Sequence, residues 1–395
     1  MKKKTVILAG TLLALLLFVG AGWVYAREFV ADEYYVTEET SFELNNSLVK
    51  VGIGERTTTA SVGKTVFNGK AKLFGIIPVK SVKLNLVRGK SVIVGGESFG
   101  LKMYTNGLIV VGFTDISTDG GDKNPAKDAG IEKGDLLKSI NGEVLEENGD
   151  VSRLINTIGG KKVTVTLERN GELKTVELYP VKSAEDGKYK AGMWVRDSAA
   201  GIGTMSFYDP DTGMFVGLGH GIYDVDTDKL LPAAKGEIVS TVITSVKKGV
   251  KGSPGELQGV FDQEKVIGEL YGNSALGVYG KVSASVSGKE LEIAMKQEIE
   301  LGEAKIMTPK VGGGKEEYKI EIVSVTNDDK GKGKNMVIRI TDERLIEERG
   351  GIVQGMSGSP IIQNGKLIGS VTHVLINDPT MGYAVFAERM YELIG

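Results

Sequence analysis

Glycine is the residue that most restricts how this chain can fold, because it occupies 55 of the 395 positions. That share is about twice the usual one in globular proteins, and glycine is favoured where a backbone turns tightly or bulges. Short valine-rich segments, such as 236–246, 266–271 and 318–325, are separated by glycine, aspartate and asparagine. Alternating strand patterns bounded by turn residues predict a mainly β protein with many hairpins.

The composition also excludes several kinds of chemistry. The chain has no cysteine, so disulfides, thiolate nucleophiles and cysteine-ligated zinc are ruled out. The formal net charge is only −3, and no basic stretch interleaved with aromatic residues is present, so we expect no nucleic-acid partner. The only two histidines are His220 and His373. A histidine-based metal site is therefore not expected, and neither is a cofactor.

The first 26 residues predict a membrane-targeting segment. Three lysines at positions 2–4 precede an uncharged, largely apolar run over residues 5–26. About twenty apolar residues suffice to span a bilayer, and the lysines should stay on the cytoplasmic side. Residues 24–26, Val-Tyr-Ala, also form an imperfect cleavage site, so a removed signal peptide is the alternative. The length of the run and the interfacial pair Trp23 and Tyr25 favour an anchor that is retained.

Three regions follow this segment. Residues 27–98 alternate in a strand pattern and include a polar stretch around residues 57–59 that indicates an exposed linker. Residues 99–183 have a different, mixed α and β pattern. Residues 184–395 contain many short strand patterns and little helical periodicity before residues 387–394, which predicts an all-β barrel or sandwich.

The middle region resembles a PDZ domain. Residues 129–142 follow the pattern AGI-x-x-GD-x-L-x-x-I-N-G, and a helical pattern at 151–158 precedes a strand pair that turns at Asn170-Gly171. The resemblance implies a domain that binds a peptide as an added strand. Its peptide-binding loop would be Gly100, Leu101, Lys102 and Met103. The alternative is a domain whose groove is blocked or merely structural.

A candidate nucleophile lies in the last region, in the segment Gly-Met-Ser-Gly-Ser-Pro at residues 355–360. A serine hydroxyl needs a base to take its proton and donors for the oxyanion that forms on the attacked carbonyl. The flanking glycines allow a sharp turn that exposes Ser357 and aims the amides of Gly355 and Ser357 in one direction. The segment resembles the G-x-S-G-G-P pattern of chymotrypsin-like peptidases, with Ser359 replacing the second glycine.

The base and its orienting carboxylate are less sharply defined. His220 lies in the glycine-flanked segment 217–222, which favours an exposed or closely approached position, whereas His373 lies on an apparent strand with apolar neighbours. We therefore favour His220 as the base. A third group should be a carboxylate that orients the imidazole. The candidates are Asp342, Asp224, Asp226 and Asp378, and the residues alone do not separate them.

Residues 350–386 together with 217–222 resemble the stage IV sporulation protein B peptidases, and the resemblance covers nearly the whole chain. It implies a catalytic triad of His220, Asp342 and Ser357. It implies a chymotrypsin-like double β-barrel serine peptidase domain, preceded by an α+β PDZ domain and a single N-terminal transmembrane helix.

The resemblance also implies a role in endospore formation. Such a peptidase would act in the forespore intermembrane space on a membrane-bound regulator of an intramembrane metalloprotease, leading to late sigma-factor activation. It would also cut its own N-terminal segment, between about residues 27 and 72, and could release itself. The alternatives are a non-catalytic, membrane-anchored PDZ scaffold that recruits partner proteins and, more distantly, a metal-dependent hydrolase.

Overall fold

A computed structural model describes residues 2–37, 42–43, 48–57, 65–86, 89–283, 286–326 and 333–395. The chain begins with helix α1 (Lys2–Phe29), whose 28 residues extend for about 42 Å at 1.5 Å each. Its apolar side chains are turned outward, with Phe18 70% and Leu17 67% exposed. Within the described residues, α1 is the one helix whose length and hydropathy are sufficient to cross a membrane.

A small five-stranded sheet follows this helix, in the order β1-β5-β4-β3-β2. Its strands are β1 (Glu33–Val36), β2 (Phe42–Glu43), β3 (Val49–Thr57), β4 (Thr65–Leu73) and β5 (Ile77–Leu86). The end of α1 packs into this domain, since Ala26 and Val30 are buried with Tyr34 in its core. The linker predicted around residues 57–59 continues into residues 58–64, which lie outside the described part of the chain.

Six strands form a first barrel in the order β7-β18-β19-β20-β17-β16. The barrel closes because β16 also pairs with β7. The barrel strands are β7 (Ser98–Phe113), β16 (Met193–Tyr208), β17 (Met214–Gly217), β18 (Ala233–Lys247), β19 (Glu256–Ser274) and β20 (Gly277–Val282). Strands β6 (Ser91–Val94) and β21 (Glu290–Glu292) extend the sheet beyond β16. Apolar side chains such as Phe99, Met103 and Phe215 fill the interior.

The PDZ region lies in the chain between β7 and β16 of this barrel. It contains β8 (Ile116–Thr118), β9 (Gly121–Lys123), α2 (Pro125–Asp128), β10 (Leu136–Ile140), β11 (Glu143–Val144), α3 (Asn148–Ile158), β12 (Val163–Arg169), β13 (Glu172–Leu178), β14 (Val181–Lys182) and β15 (Tyr189–Lys190). The predicted hairpin is confirmed: β12 pairs with β13, and Asn170 and Gly171 both have positive φ. The first barrel therefore includes strand β7, which lies upstream of the domain boundary predicted at residue 184.

The predicted peptide-binding loop is wrong in this structure. Residues 100–103 are not a loop but lie in the first half of β7, where Met103 pairs with Ala199 of β16 on one edge and Gly236 of β18 on the other. A strand whose two edges are both occupied cannot accept a peptide as a further strand. These residues belong to the wall of the first barrel, and Leu101 and Met103 point into its core.

The second barrel is closed in the order β22-β23-β24-β27-β26-β25. Its strands are β22 (Gly302–Pro309), β23 (Lys315–Val325), β24 (Met336–Ile340), β25 (Pro360–Gln363), β26 (Lys366–Leu375) and β27 (Asp378–Phe386), with a short 3-10 helix (Lys296–Glu298), α4 (Glu343–Arg349) and α5 (Ala387–Tyr391). The predicted fold class is confirmed: a mainly β chain carries a double β-barrel, a PDZ region and one N-terminal apolar helix.

Candidate active site

The two glycine-rich motifs meet in one cavity of about 490 Å³. Ser357 precedes β25 of the second barrel, and His220 follows β17 of the first, so the cavity lies between the barrels. The side chain of His373, from β26, reaches the same cavity. Most of the remaining wall is apolar or glycine, which strengthens electrostatic interactions there.

The serine turn depends on glycine at two positions. Gly355 and Gly358 both have φ of 94°, a conformation that other residues rarely adopt. A Cβ on Gly358 would lie 2.1 Å from the carbonyl oxygen of Thr204 and 2.6 Å from the amide nitrogen of Leu218. The motif that carries Ser357 is therefore packed directly against the backbone that leads to His220. The Ser357 hydroxyl itself donates to the carbonyl oxygen of Thr372 at 2.8 Å.

Strand β16 also holds the serine turn through hydrogen bonds. The amide of Thr204 donates to the carbonyl oxygen of Ser357 at 3.0 Å. The hydroxyl of Thr204 donates to the carbonyl oxygen of Gly355 at 2.7 Å. The hydroxyl of Ser206 donates to the carbonyl oxygen of Gly358 at 2.8 Å. Thr204 and Ser206 are fully buried, so these bonds are shielded from competing water. Sequence reasoning missed both residues, although hydroxyls alternating with apolar residues on a strand were a visible signal.

The amides expected to bind an oxyanion have no partner. Neither Gly355 nor Ser357 donates its amide to any residue that the structure describes. The neighbouring amides of Gln354, Met356 and Gly358 donate instead to the carbonyl oxygens of Gly255, Val353 and Val371. Gly355 and Ser357 are half-buried, and two free amides beside a serine hydroxyl are suited to stabilise negative charge on a bound carbonyl oxygen.

His220 is held as a neutral imidazole. Leu218 and Gly219, directly before it, both have φ of 68°, which is rare for leucine and indicates a constrained turn. The Nδ1 atom lies 2.8 Å from the carbonyl oxygen of Gly221. Because a carbonyl can only accept, Nδ1 carries a proton, and in the neutral imidazole Nε2 is then the acceptor. Burial lowers the pKa of His220, which keeps Nε2 free to take a proton.

His373 packs against this imidazole. The two ring centroids are 4.9 Å apart and the ring planes are inclined by 36°. Desolvation, followed by the charges of His220 and Lys334, lowers the pKa of His373 to about 4. The sequence favoured His220 over His373 as the base, and the structure places both in the cavity with Ser357.

Asp342 does not line the cavity that contains Ser357 and His220. It caps the N-terminus of α4, where its carboxylate accepts from Arg344 at 2.9 and 3.0 Å and from the amide of Lys319 at 3.1 Å. The hydrogen bonds from Arg344 lower the pKa of Asp342. Its neighbour Thr341 lines a different cavity with the turn at residues 364–365, at the far end of β25 from Ser357. The structure therefore does not bring Asp342 to His220.

The other candidate carboxylates, those of Asp224, Asp226 and Asp378, also bind groups other than His220. Asp224 is fully buried and pairs with Arg196, which also binds Asp226 at 2.9 Å. Asp378 accepts from the amide and hydroxyl of Thr380 in its own turn. Among the described residues, no carboxylate contacts His220, and the carbonyl of Gly221 is the group that orients its ring. The same residues contain no group of three or more histidine, aspartate or glutamate side chains arranged to hold a metal ion.

The double barrel, the inserted PDZ region and the serine turn define a PDZ-containing serine peptidase. A PDZ domain model matches residues 101–179. The model of the SpoIVB peptidase S55 family matches residues 187–391, which is more than half of the chain, and the chain belongs to that family.

Curated relatives match only short segments. A protein of Staphylococcus aureus (strain MRSA252) named "Putative zinc metalloprotease" is 42% identical over 62 residues, which are 16% of this chain and 14% of that protein. A Brucella suis biovar 1 protein of the same description is 35% identical over 81 residues, 20% of this chain and 21% of that protein. The chain thus spans about a seventh to a fifth of these relatives.

Solved structures match weakly. The HtrA-type protease AlgW with a decapeptide has a TM-score of 0.31 at 13% identity, covering 50% of this chain and 53% of that one. The inactive form of the Rv3671c protease has a TM-score of 0.29 at 14% identity, covering 48% and 81%. The PDZ domain of an SdrC-like protein from Listeria monocytogenes has a TM-score of 0.19 at 18% identity, covering 23% and 87%.

Proposed function

We propose that the protein is a serine endopeptidase in which Ser357 is the nucleophile and His220 the general base. The observation that carries this proposal is the single cavity that contains the Ser357 hydroxyl, the imidazole of His220 and two unpaired amides. Rotation of the Ser357 side chain away from Thr372 would turn its hydroxyl towards Nε2 of His220. The carbonyl of Gly221, rather than Asp342, orients the imidazole in this conformation.

The reaction then follows from these positions. Oγ of Ser357 attacks the substrate carbonyl carbon while its proton passes to Nε2, and the amides of Gly355 and Ser357 bind the oxyanion. Protonated His220 gives its proton to the leaving nitrogen as the C–N bond breaks. Water, deprotonated by His220, hydrolyses the acyl-enzyme and restores the serine.

The biological proposal rests on family membership and on helix α1. We infer an anchored peptidase of the forespore intermembrane space that cuts a membrane-bound regulator of an intramembrane metalloprotease and promotes late sigma-factor activation. Its own N-terminal segment, residues 27–72, would be a second substrate. Residues 38–41, 44–47 and 58–64 of that segment lie outside the described part of the chain. The α1 helix supports the membrane location, and the lysines at positions 2–4 would remain cytoplasmic.

The test compares N-termini by mass spectrometry for the wild type, Ser357→Ala and a matched control, Ser359→Ala. Loss of the nucleophile should remove self-processing and reduce kcat by about 10⁶. Ser359 is buried and its hydroxyl has no hydrogen-bond partner among the described residues, so removing that hydroxyl should cost little. Self-processing by purified Ser357→Ala would reject the proposal. Normal signalling in cells carrying that variant would instead favour the non-catalytic PDZ scaffold.

A further inference from the structure

The hairpin between β4 and β5 exposes apolar side chains at its tip. The turn consists of Phe74, Gly75 and Ile76, of which Ile76 is 79% and Phe74 46% exposed. Turns normally carry glycine, asparagine or other polar residues. Phe74 also has a φ of 53°, a conformation that is rare for a bulky residue and costs free energy. An exposed aromatic ring held in a strained turn points to a function of the tip.

This tip lies beside the apolar part of α1. A Cβ on Gly22 of the helix would lie 3.7 Å from Cδ2 of Leu73. Phe74 lines a small cavity of about 50 Å³ together with Phe18 and Val19, which lie one helical turn closer to the start of α1. The hairpin therefore extends along α1 towards the N-terminal end of the helix.

The level of this contact follows from the length of the helix. Lys4 and Arg27 bracket the uncharged run of α1, which extends for about 34 Å at 1.5 Å per residue, close to the roughly 30 Å of a bilayer's hydrocarbon. Phe18 precedes Arg27 by nine residues, or about 13 Å along the axis. A headgroup layer is only about 5–7 Å thick. Residues level with Phe18 therefore reach the hydrocarbon when α1 spans a membrane, even if Arg27 lies at the outer surface of the headgroups.

Two lysines accompany the tip. Lys50 of β3 and Lys72 of β4 are both exposed and lie directly opposite each other in the sheet. Like charges in this position destabilise a sheet in water. Lys50 also lies close to the turn, since a Cβ on Gly75 would be 3.4 Å from its Cδ atom. Because lysine can bury its stem and keep its ammonium group at a surface, the pair is suited to the anionic headgroups of a membrane.

We propose that the β4–β5 hairpin tip inserts Phe74 and Ile76 into the lipid leaflet around the C-terminal end of α1, with Lys50 and Lys72 at anionic headgroups. A bilayer fits this tip because the tip continues the exposed apolar surface of α1. The inference rests on the proposed function in one respect, namely that α1 spans the membrane.

The insertion has a consequence for the proposed self-cleavage. Residues 74–76 lie after the segment 27–72, so a cut within that segment would leave the tip on the peptidase side. The cut would then change a permanent anchor into a reversible membrane contact, because a few inserted apolar side chains bind far more weakly than a spanning helix.

The first experiment measures depth with a fluorescent label on a single thiol. The chain has no cysteine, so Ile76→Cys provides the only site for a nitrobenzoxadiazole label. Leu173→Cys is the matched control, since Leu173 is an apolar residue, 70% exposed, near the turn of the hairpin in the PDZ region. Leu17→Cys labels α1 itself. Each change is made in the full-length chain with Ser357→Ala, which prevents self-cleavage.

The labelled proteins are reconstituted in vesicles of phosphatidylethanolamine and phosphatidylglycerol whose acyl chains carry spin labels. Labels at Ile76 and Leu17 should be quenched at least about threefold more strongly than the label at Leu173. Quenching at Leu17 but not at Ile76 would overturn the inference and leave the anchor intact. Quenching at neither position would reject the spanning helix, and the inference with it. A disulfide between two copies of Ile76→Cys, in place of quenching, would assign the tip to a contact between copies.

The second experiment changes the tip itself. The label is placed by Leu48→Cys, because Leu48 is exposed and lines the same cavity as Phe74. Ile76→Asp puts a charge on the tip, and Leu173→Asp is the control. Both positions are exposed, so neither change should prevent folding. Quenching at Leu48 should fall at least about threefold with Ile76→Asp only. Equal quenching in the two variants would contradict insertion of the tip.

The lysines are tested by the lipid composition. Quenching of the label at Ile76 should rise with the share of phosphatidylglycerol, and this rise should be lost when Lys50→Gln and Lys72→Gln are combined. The same rise in the combined variant would contradict the role given to the two lysines.

Discussion

The imidazole rings of His220 and His373 face each other with their centroids 4.9 Å apart. They are the only two histidines in the chain, and both line the cavity that contains Ser357. Two imidazoles at this separation disfavour simultaneous protonation, because each would bring a positive charge against the other. Protonation of His220, the proposed base, is therefore coupled to protonation of His373 on β26.

Acid should destabilise the protein through His373. Its pKa is about 4 in the folded protein, against about 6.5 in an unfolded chain, so the unfolded state binds more protons between these values. Stability is therefore complete above pH 6.5 and declines as the pH falls towards 4. In thermal unfolding measured across this range, His373→Gln should flatten the decline. An unchanged slope in the variant would show that the folded state does not disfavour protonation of His373.

Peptidase activity should persist below the ordinary pKa of histidine. Burial lowers the pKa of His220, so the neutral imidazole remains available at pH values under about 6.5. The pH profile of kcat/KM should fall only below that value, with the slope of a single proton. His220→Gln should lose at least about a hundredfold more activity than His373→Gln. Comparable losses in the two variants would make His373 an equal candidate for the base.

Replacing Asp342 should have a small effect if the observed geometry is the active one. Asp342→Asn keeps an N-capping side chain for α4 and removes only the charge that binds Arg344. Because Arg344 is 61% exposed, we expect a loss of at most about 1 kcal/mol in unfolding free energy and a change in kcat/KM within about tenfold.

Arg344→Gln is the matched control for this change, since it breaks the same ion pair from the other side. A fall of about 10⁴ in kcat for Asp342→Asn alone would place Asp342 in the catalytic triad. That result would mean that α4 and its cap rearrange before catalysis.

Thr204 should position the serine turn. Thr204→Val removes the hydroxyl that donates to the carbonyl oxygen of Gly355, a partly buried hydrogen bond whose loss should cost about 1 kcal/mol. Since small displacements near the reacting atoms can cost about a hundredfold, kcat should fall more than substrate affinity. Thr204→Ser should restore it.

Ser206→Ala provides the comparison for Thr204, because it removes a buried hydrogen bond of similar length to Gly358, on the other side of the serine. We expect a similar loss of stability and a smaller loss of kcat. Equal losses of kcat in Thr204→Val and Ser206→Ala would mean that both substitutions act by destabilising the protein, and that Thr204 has no separate role in positioning the serine turn.

Local patterns were sufficient to predict the glycine-bounded serine turn, the Asn170-Gly171 hairpin and the presence of a PDZ region. In each, a few adjacent residues determine the backbone conformation. The same is true of α1, whose apolar run is continuous in the sequence.

Long-range pairing was not predictable in this way. Residues 100–103 read as a loop because nothing adjacent in the chain shows that β16 and β18 occupy both edges of β7. The role of Thr204 likewise depends on Gly355, which is more than twenty residues away. The role of Asp342 depends on Lys319, also more than twenty residues away, and on the neighbouring Arg344, which binds its carboxylate. The proximity of His373 to His220 arises from a strand of one barrel and a turn that follows a strand of the other, more than 150 residues apart in the chain.

The junction between α1 and the small N-terminal sheet bears on how the chain could be released from a membrane. Ala26 is 1% exposed and accepts a hydrogen bond from the amide of Val30, while the indole of Trp23 donates to the carbonyl oxygen of Pro78 at 2.8 Å. A signal peptidase acting after Ala26 would have to unwind the last helical turn and would carry part of the domain's interior away with the leader. Cutting there would remove Ala26 and Trp23 from the packing of the small sheet, so we expect a release that leaves this sheet intact to need a cut farther along the chain.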